Sequence, residues 1–460
     1  MSKNLEAFIA SSEKKAFDLK HRAILDYNIK QYDKKVISGK QQFSNLELAK
    51  SRAAALKHKA IENLEKYLIA FEANFTKRGG KVIWAQDAEE AVNEALIIMQ
   101  KVKAKTVVKS KSMVTEEIDF NTALEQKGIE SIETDLGEYI VQLRNEPPYH
   151  IVTPAMHLSK EDVAKTFNEK KNTPLDWSPE QVTKFVREEL RSKYAKADVG
   201  VSGGNFLVAD IGGVAITENE GNASLSCAFP KVHIAIVGIE KVIPSMTDLD
   251  LLWPLLATYG TGQQLTVYNS IYLGPKQADE ADGPEEMYVI LLDNGRTNLL
   301  AETEQRRALS CIKCGACLNV CPVYQTIGGH AYGTTYSGPI GSVITPHLKG
   351  MQEFKHLSYA STLCGRCTEV CPVKIDIHKL LLLNRKQSID NKLSTKTENW
   401  IWLFWKQAML KRSKMDKGGA KIKNFMLKQF FSKQWGKRRA LPEVAPKSFN
   451  QLWKELKGLK

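Results

Sequence analysis

Apolar residues in the first 75 positions, among them Leu46, Ala49, Ala53 and Leu56, recur every three or four residues against a background of Lys, Ala and Glu. That period predicts a helical N-terminal region over 1–75. The pattern then changes. Short β-branched runs, KVIWA at 81–85, TVVKS at 106–110 and HIVTPA at 150–155, alternate with helical stretches such as AEEAVNEALIIMQKV. Such alternation predicts βαβ units with a sheet covered by helices. Further strands are expected in GGNFLVADIGGVAITEN, VHIAIVGIEKV, LTVYNSIYLG and EMYVILLD, with glycines at the turns between them. The expectation is an α/β domain over 76–300, built on a parallel or mixed sheet.

From 301 to 380 the periodicity gives way to cysteines, prolines and glycines between short helical pieces such as EQRRALSC. A core more inorganic than hydrophobic is expected there. Beyond it, NWIWLFWKQAMLKRSK reads as an aromatic and basic helix, and the Lys-rich remainder completes a helical tail over 381–460.

Composition adds limits. With 460 residues, 43% of them hydrophobic, the chain can bury the cores of two or three domains without disulfides. The opening MSKNLEAFIASSEKKAF has no apolar signal region and no run approaches eighteen apolar residues, so a cytoplasmic location is expected. In that reducing compartment, clustered cysteines read as metal ligands. The net charge of +13 is uneven: residues 379–460 hold 21 Lys and Arg against 5 Asp and Glu, a balance of +16 that leaves −3 elsewhere. A basic tail of this kind suits an acidic protein or an anionic membrane surface. Nucleic acid is not expected, since no recognised binding motif accompanies the charge.

Seven of the eight cysteines fall into two runs. The first is Cys311-x2-Cys314-x2-Cys317-x3-Cys321-Pro322, the bacterial ferredoxin spacing. Three closely spaced thiolates wrap three corners of one cubane, while the residue before proline is held extended and directs its sulfur to the other cluster. The second run, Cys364-x2-Cys367-x3-Cys371-Pro372, has Ser361 where a first cysteine belongs. With the usual exchange of fourth ligands, Cys311, Cys314, Cys317 and Cys371 hold a complete [4Fe-4S] cluster 1. Cys321, Cys364 and Cys367 then hold cluster 2, either a [4Fe-4S] centre with a non-cysteine fourth ligand or a [3Fe-4S] centre. Structural zinc does not require three tight cysteines plus Cys-Pro, repeated. Cys227 stands alone and reads as a buried small residue. His330, His347, His356 and His378 lie near the runs in sequence and read as structural, or as hydrogen-bond donors that tune the sulfurs.

The run CIKCGACLNVCPVYQTIGGHAYG, with SGPIGSVITPHLKG, STLCGRCTEVCPVKIDIH and VSGGNFLVADIGGVAITENEGNASLS, resembles the lactate-utilisation iron-sulfur protein family over nearly the whole chain. The family also lacks a cysteine at the Ser361 position. The resemblance implies an electron-transfer component of a three-protein system that oxidises L-lactate to pyruvate and allows growth on lactate. Its sisters would be a cysteine-rich protein resembling heterodisulfide reductase subunits and a small relative of the α/β domain. That domain resembles sugar-phosphate isomerase and CoA-transferase folds, which bind small anionic metabolites at strand ends. By that analogy the Gly203 and Gly204 turn with Glu218, Asn219, Glu220 and Asn222 is expected to line a substrate pocket, or else to be polar turn chemistry. No Walker A run or GxGxxG is present.

Two other functions stay open at this point. One is a catalytic subunit that binds the 2-hydroxy acid in the α/β pocket or at an open cluster iron; the other is a quinone-linked ferredoxin-like module for another substrate. The tail residues Trp400, Trp402, Phe404, Trp405 and Leu410, beside Lys406, Lys411, Arg412 and Lys414, read either as an interfacial helix at the inner face of the membrane near a quinone pool, or as a docking face for protein.

Overall fold

Ten strands organise the α/β region: β1 (Lys81–Ala85), β2 (Thr106–Lys109), β3 (Glu130–Glu133), β4 (Val199–Ser202), β5 (Phe206–Val208), β6 (Gly213–Glu218), β7 (Val232–Gly238), β8 (Val242–Ile243), β9 (Tyr268–Tyr272) and β10 (Glu286–Leu292). The computed structural model describes residues 2–415, 417–436 and 439–458, so 416, 437–438 and 459–460 of the expected basic tail lie outside the described residues. A six-stranded sheet runs β1-β10-β7-β4-β2-β3, and every neighbouring pair in it is parallel. Parallel strands are covered on both faces, which is why VHIAIVG and MYVILL read as continuous apolar runs. Ile234, Ile236 and Ile290 are fully buried, each stabilising the fold by about 1.5–3 kcal/mol. A second, mixed sheet runs β8-β5-β6-β9.

The chain leaves β2 towards β3 on one side, then returns through β4, β7 and β10 on the other. The reversal of direction falls between β2 and β4. In parallel α/β sheets the loops leaving two such strands diverge and open a crevice at their carboxyl ends.

Two expectations are corrected. HIVTPA at 150–155 is not a strand: Pro154 lacks an amide hydrogen, the His150 ring Nδ1 accepts from the amides of Val152 at 3.1 Å and Thr153 at 3.2 Å, and the segment folds into turns. Nor is the core of the cysteine region more inorganic than hydrophobic. Leu309, Ile312, Leu318, Tyr324, Tyr332, Ile340 and Val343 join Leu25 and Ile29 of the helix Leu19–Lys40 and Ala53 and Ile61 of Leu46–Glu62 in one hydrophobic core. The N-terminal helices thus cover the cysteine loops, and the whole of Met1–Ser388 forms one unit.

The second unit is Ile389–Lys460. Its helices include Lys396–Met409, started by Thr395, whose hydroxyl accepts from the Glu398 amide at 3.2 Å, and Gly419–Trp435 and Phe449–Lys457. None of its described large aromatic residues is buried; Trp400 is 72% and Phe404 76% exposed. No helix among the described residues is long and apolar enough to cross a membrane.

Candidate iron-sulfur centre and the adjoining cavity

The two cysteine runs fold as copies of one turn. Lys313 and Leu363 have φ of +60° and +54°, and the glycines that follow the next cysteine, Gly315 and Gly365, have φ of +78° and +84°. Two residues in succession on either side of a cysteine are wound left-handed, which glycine tolerates at one of the two positions in each copy. In the first copy the Lys313 amide donates to Cys311 Sγ at 3.3 Å; in the second, the Leu363 amide donates to Ser361 Oγ at 3.1 Å. Ser361 therefore occupies the place in its turn that Cys311 occupies in the other. Cys321 and Cys371 are both extended, with ψ of 118° and 119°, as the following prolines require.

One small cavity is lined by Cys311, Cys314, Cys317 and Cys371, closed by Ile151, Ile340 and Ile375. Burial, and then the neighbouring cysteines, push the Cys314 and Cys317 thiols well up, while burial takes Cys371 up to about 12. Metal-free thiols here stay protonated, and a metal must displace those protons. Cys321 interacts in charge with Cys364, and Cys367 with both. Cys364 is exposed, and backbone hydrogen bonding from Arg366 lowers its thiol. Soft thiol donors gathered on an enclosed space, with amides of Lys313 and Ile375 donating to Cys311 and Cys371 sulfur, fit an iron-sulfur cluster.

The four nearby histidines bond elsewhere. His330 meets the Pro147 carbonyl at 2.8 Å, His347 meets Asn384 at 2.9 Å, His378 meets Thr368 at 2.7 Å, and His356 packs at a tilt against Phe8. Cys227 is fully buried in the α/β core, 3.3 Å from His233, and burial pushes its thiol up to about 12.

The crevice between β2 and β4 holds a cavity of about 400 Å³. Ser110, Lys111 and Ser112 leave β2 to form one wall and Gly203, Gly204 and Asn205 leave β4 to form another. A Cβ on Gly203 would lie 2.7 Å from Ser112 Oγ, so a side chain there would push the Ser112 hydroxyl aside. Glu218, Asn219, Glu220 and Asn222 all line it as well. Their tasks differ. Glu218 accepts from the amides of Ala223 at 2.5 Å and Ser224 at 2.8 Å, capping the helix Asn222–Ala228. Asn219 pairs reciprocally with Gln263. Glu220 stands at the rim, where burial of its carboxyl and the charge of Asp135 take it from the ordinary 4.5 up to about 7.

Three lysines absent from the expected set also line the cavity: Lys111, Lys241 and Lys313. Lys111 donates to the Val152 carbonyl. Lys241 is 7% exposed, and burial brings its ammonium down to about 8. The Lys313 ammonium sits 4.1 Å over the Tyr336 ring. Tyr336 in turn donates to Glu117 at 2.7 Å, and Glu117 and Glu240 are clamped by the buried Arg296 at 2.8 and 2.6 Å. Because Lys313 lies between Cys311 and Cys314, one side chain borders both the cavity and the first cysteine loop.

A parallel α/β domain joined to two ferredoxin-type turns defines an iron-sulfur protein, and comparison with known proteins agrees. Residues 68–292 match the LUD domain and residues 307–375 match the 4Fe-4S dicluster domain. Lactate utilization protein B of Shouchella clausii is 42% identical over 91% of this chain and 90% of its own length. The proteins of the same name from Bacillus cytotoxicus and Bacillus cereus are 42% identical over 90% of each chain, and 47% identical over 76% of this chain and 73% of the relative. The chain belongs to the lactate utilization protein B family and is an iron-sulfur protein of lactate utilisation. A solved DUF162 family protein from Deinococcus radiodurans aligns over 50% of this chain and 98% of its own at 11% identity with a TM-score of 0.29, too low to bear on the argument.

Proposed function

We propose that the chain is the electron-transfer component of a multi-protein system that oxidises L-lactate to pyruvate. The observation that carries this reading is the duplicated cysteine turn, with four thiols around one enclosed cavity and three more beside an exposed copy. Cys311, Cys314, Cys317 and Cys371 would hold a [4Fe-4S] cluster. Cys321, Cys364 and Cys367 would hold the second, with Ser361 at the corner that a thiolate takes in the first. Bound clusters supply one-electron acceptors, suited to dividing the two electrons released when a hydroxyl becomes a ketone.

The two cysteine sets differ in access. The first set is shielded by Ile151, Ile340 and Ile375 and adjoins the large cavity, whereas Cys364 faces solvent. The solvent-facing side of Cys364 supports reading it as the side where an electron-transfer partner would dock. The sister proteins would be a cysteine-rich subunit resembling those of heterodisulfide reductase and a smaller α/β relative. The tail's exposed Trp400, Trp402 and Phe404 beside Lys406 and Lys411 suit an anionic membrane surface near a quinone, a point that liposome flotation tests. The function is tested by adding L-lactate anaerobically to the reconstituted proteins and following bleaching of this chain's cluster absorbance. Bleaching only with the sisters present supports the proposal; no bleaching in the full set overturns it.

A further inference from the structure

The cavity between β2 and β4 is bordered by two lysines, Lys241 and Lys313, that share the charge of one acid, Glu240. Among the described residues neither lysine is in direct ion-pair contact; Glu240, whose charge both feel, is clamped together with Glu117 by Arg296, so three cations face two carboxylates. Burying an ammonium is costly unless a partner compensates it. Lys241 is more than nine-tenths buried and opens onto the cavity. Lys313 is steadied by an aromatic face, which leaves its charge available. The other walls carry the hydroxyls of Ser110, Ser112 and Thr217 and three acids: Glu218, occupied by the amides of Ala223 and Ser224, Asp135, which caps the helix Leu136–Leu143, and Glu220 at the rim.

We infer that this cavity is a binding site for a small hydroxy- or oxo-carboxylate, whose carboxylate rests on Lys241 and Lys313 and whose oxygen function meets the hydroxyl and carboxyl groups of the walls. The inference rests on the lactate reading above and adds a ligand site within this chain. A carboxylate with a neighbouring hydroxyl satisfies both kinds of lining at once, which an apolar or a cationic ligand cannot. Since Lys313 belongs to the loop of Cys311 and Cys314, an anion seated on it lies beside the first cluster set.

The competing explanation is that both lysines only balance the charge of cluster thiolates. Calorimetric titration of the anaerobically reconstituted full chain with L-lactate, pyruvate and propane-1,2-diol separates the two. Expected are saturable binding of both carboxylates, none of the diol, and weakening by about 10- to 100-fold in K241M and again in K313M, the loss of one charge-assisted contact each. K313M alters a half-buried side chain, so it remains informative if K241M fails to load iron. In the wild type, the EPR signal of the dithionite-reduced chain should shift on adding pyruvate. Absence of carboxylate binding, or variants that bind as the wild type while only their cluster potentials move, overturns the site. The two readings fail separately: reconstituted proteins that pass electrons from lactate while this chain binds none discard the cavity alone, and a chain that binds lactate but is never reduced discards electron transfer alone.

Discussion

Replacing Arg296 with Met tests how the α/β core is tied to the cysteine region. Arg296 is 2% exposed and donates to Glu240 from Nε at 2.6 Å and to both oxygens of Glu117 at 2.9 and 2.8 Å. Tyr336, from the cysteine region, joins the same carboxylate at 2.7 Å. Methionine keeps most of the volume and strands two buried carboxylates, and breaking a buried pair this way costs about 3–5 kcal/mol. For the unit Met1–Ser388 that is a fall in melting temperature of about 4–6 °C. Burial alone would raise both acids, but Arg296 leads the charges that hold Glu117 below the usual range and bring Glu240 down to about 2. A depressed carboxyl stabilises the fold above its unfolded value of 4.5, and that stability is lost as pH falls from there towards 2. Without Arg296 burial raises both acids above 4.5, so the defect in R296M is largest at neutral pH and above and shrinks as pH falls towards 2, where the carboxyls are protonated in both folded chains. Melting followed by circular dichroism, on chains of equal iron content at neutral pH, should show the fall and its recovery by at least half in R296M/E117Q/E240Q. Equal destabilisation of the single and triple variants would refute the reasoning, since lost packing and not stranded charge would then be the cause.

Three more outcomes follow from the site. Ser361→Cys places a thiol where the Leu363 amide already donates, so iron content should reach about eight per chain and the EPR of the second cluster should become that of an all-cysteine cubane; unchanged iron and spectra in a folded S361C chain would exclude this corner. Cys371→Ser should lose the first cluster, whereas Cys227→Ala, altering a thiol enclosed in the α/β core, should keep its full iron complement, as chemical iron analysis will report. Glu220, raised to about 7, lowers stability as pH climbs from 4.5 through 7, because the unfolded chain releases its proton first. Solvent at the rim limits this slope to about 1 kcal/mol or less, and E220Q should abolish it in urea titrations across that range.

Much of the fold is legible in the sequence. The strand KVIWA coincides with Lys81–Ala85, and the apolar runs around Ile236 and Ile290 announced buried parallel strands because both of their faces are covered. Local pattern failed where distant groups decide. β3, with sequence ESIE, looks too charged for a strand; its Glu133 is buried because it pairs with the fully buried Lys109 of β2 at 2.8 Å. HIVTPA has strand-like residues, but proline and a histidine acceptor turn the backbone. The cavity was half legible: Glu218, Asn219, Glu220 and Asn222 cluster in sequence at a strand end, as small-ligand loops do. Lys241 and Lys313 are 72 residues apart in the numbering and become neighbours only once the cysteine loop packs against the α/β core. The missing thiolate was visible by counting, whereas the matching position of Ser361 in a repeated turn needed the backbone angles and the amide contacts.

The most direct test of the electron-transfer claim is anaerobic EPR of this chain with L-lactate, alone and with its sister proteins. Dithionite should reduce clusters in the isolated chain while lactate leaves it oxidised, and lactate should generate the same reduced signals once the sisters are added. Reduction of the isolated chain by lactate, or silence of its clusters in the complete system, would contradict the account.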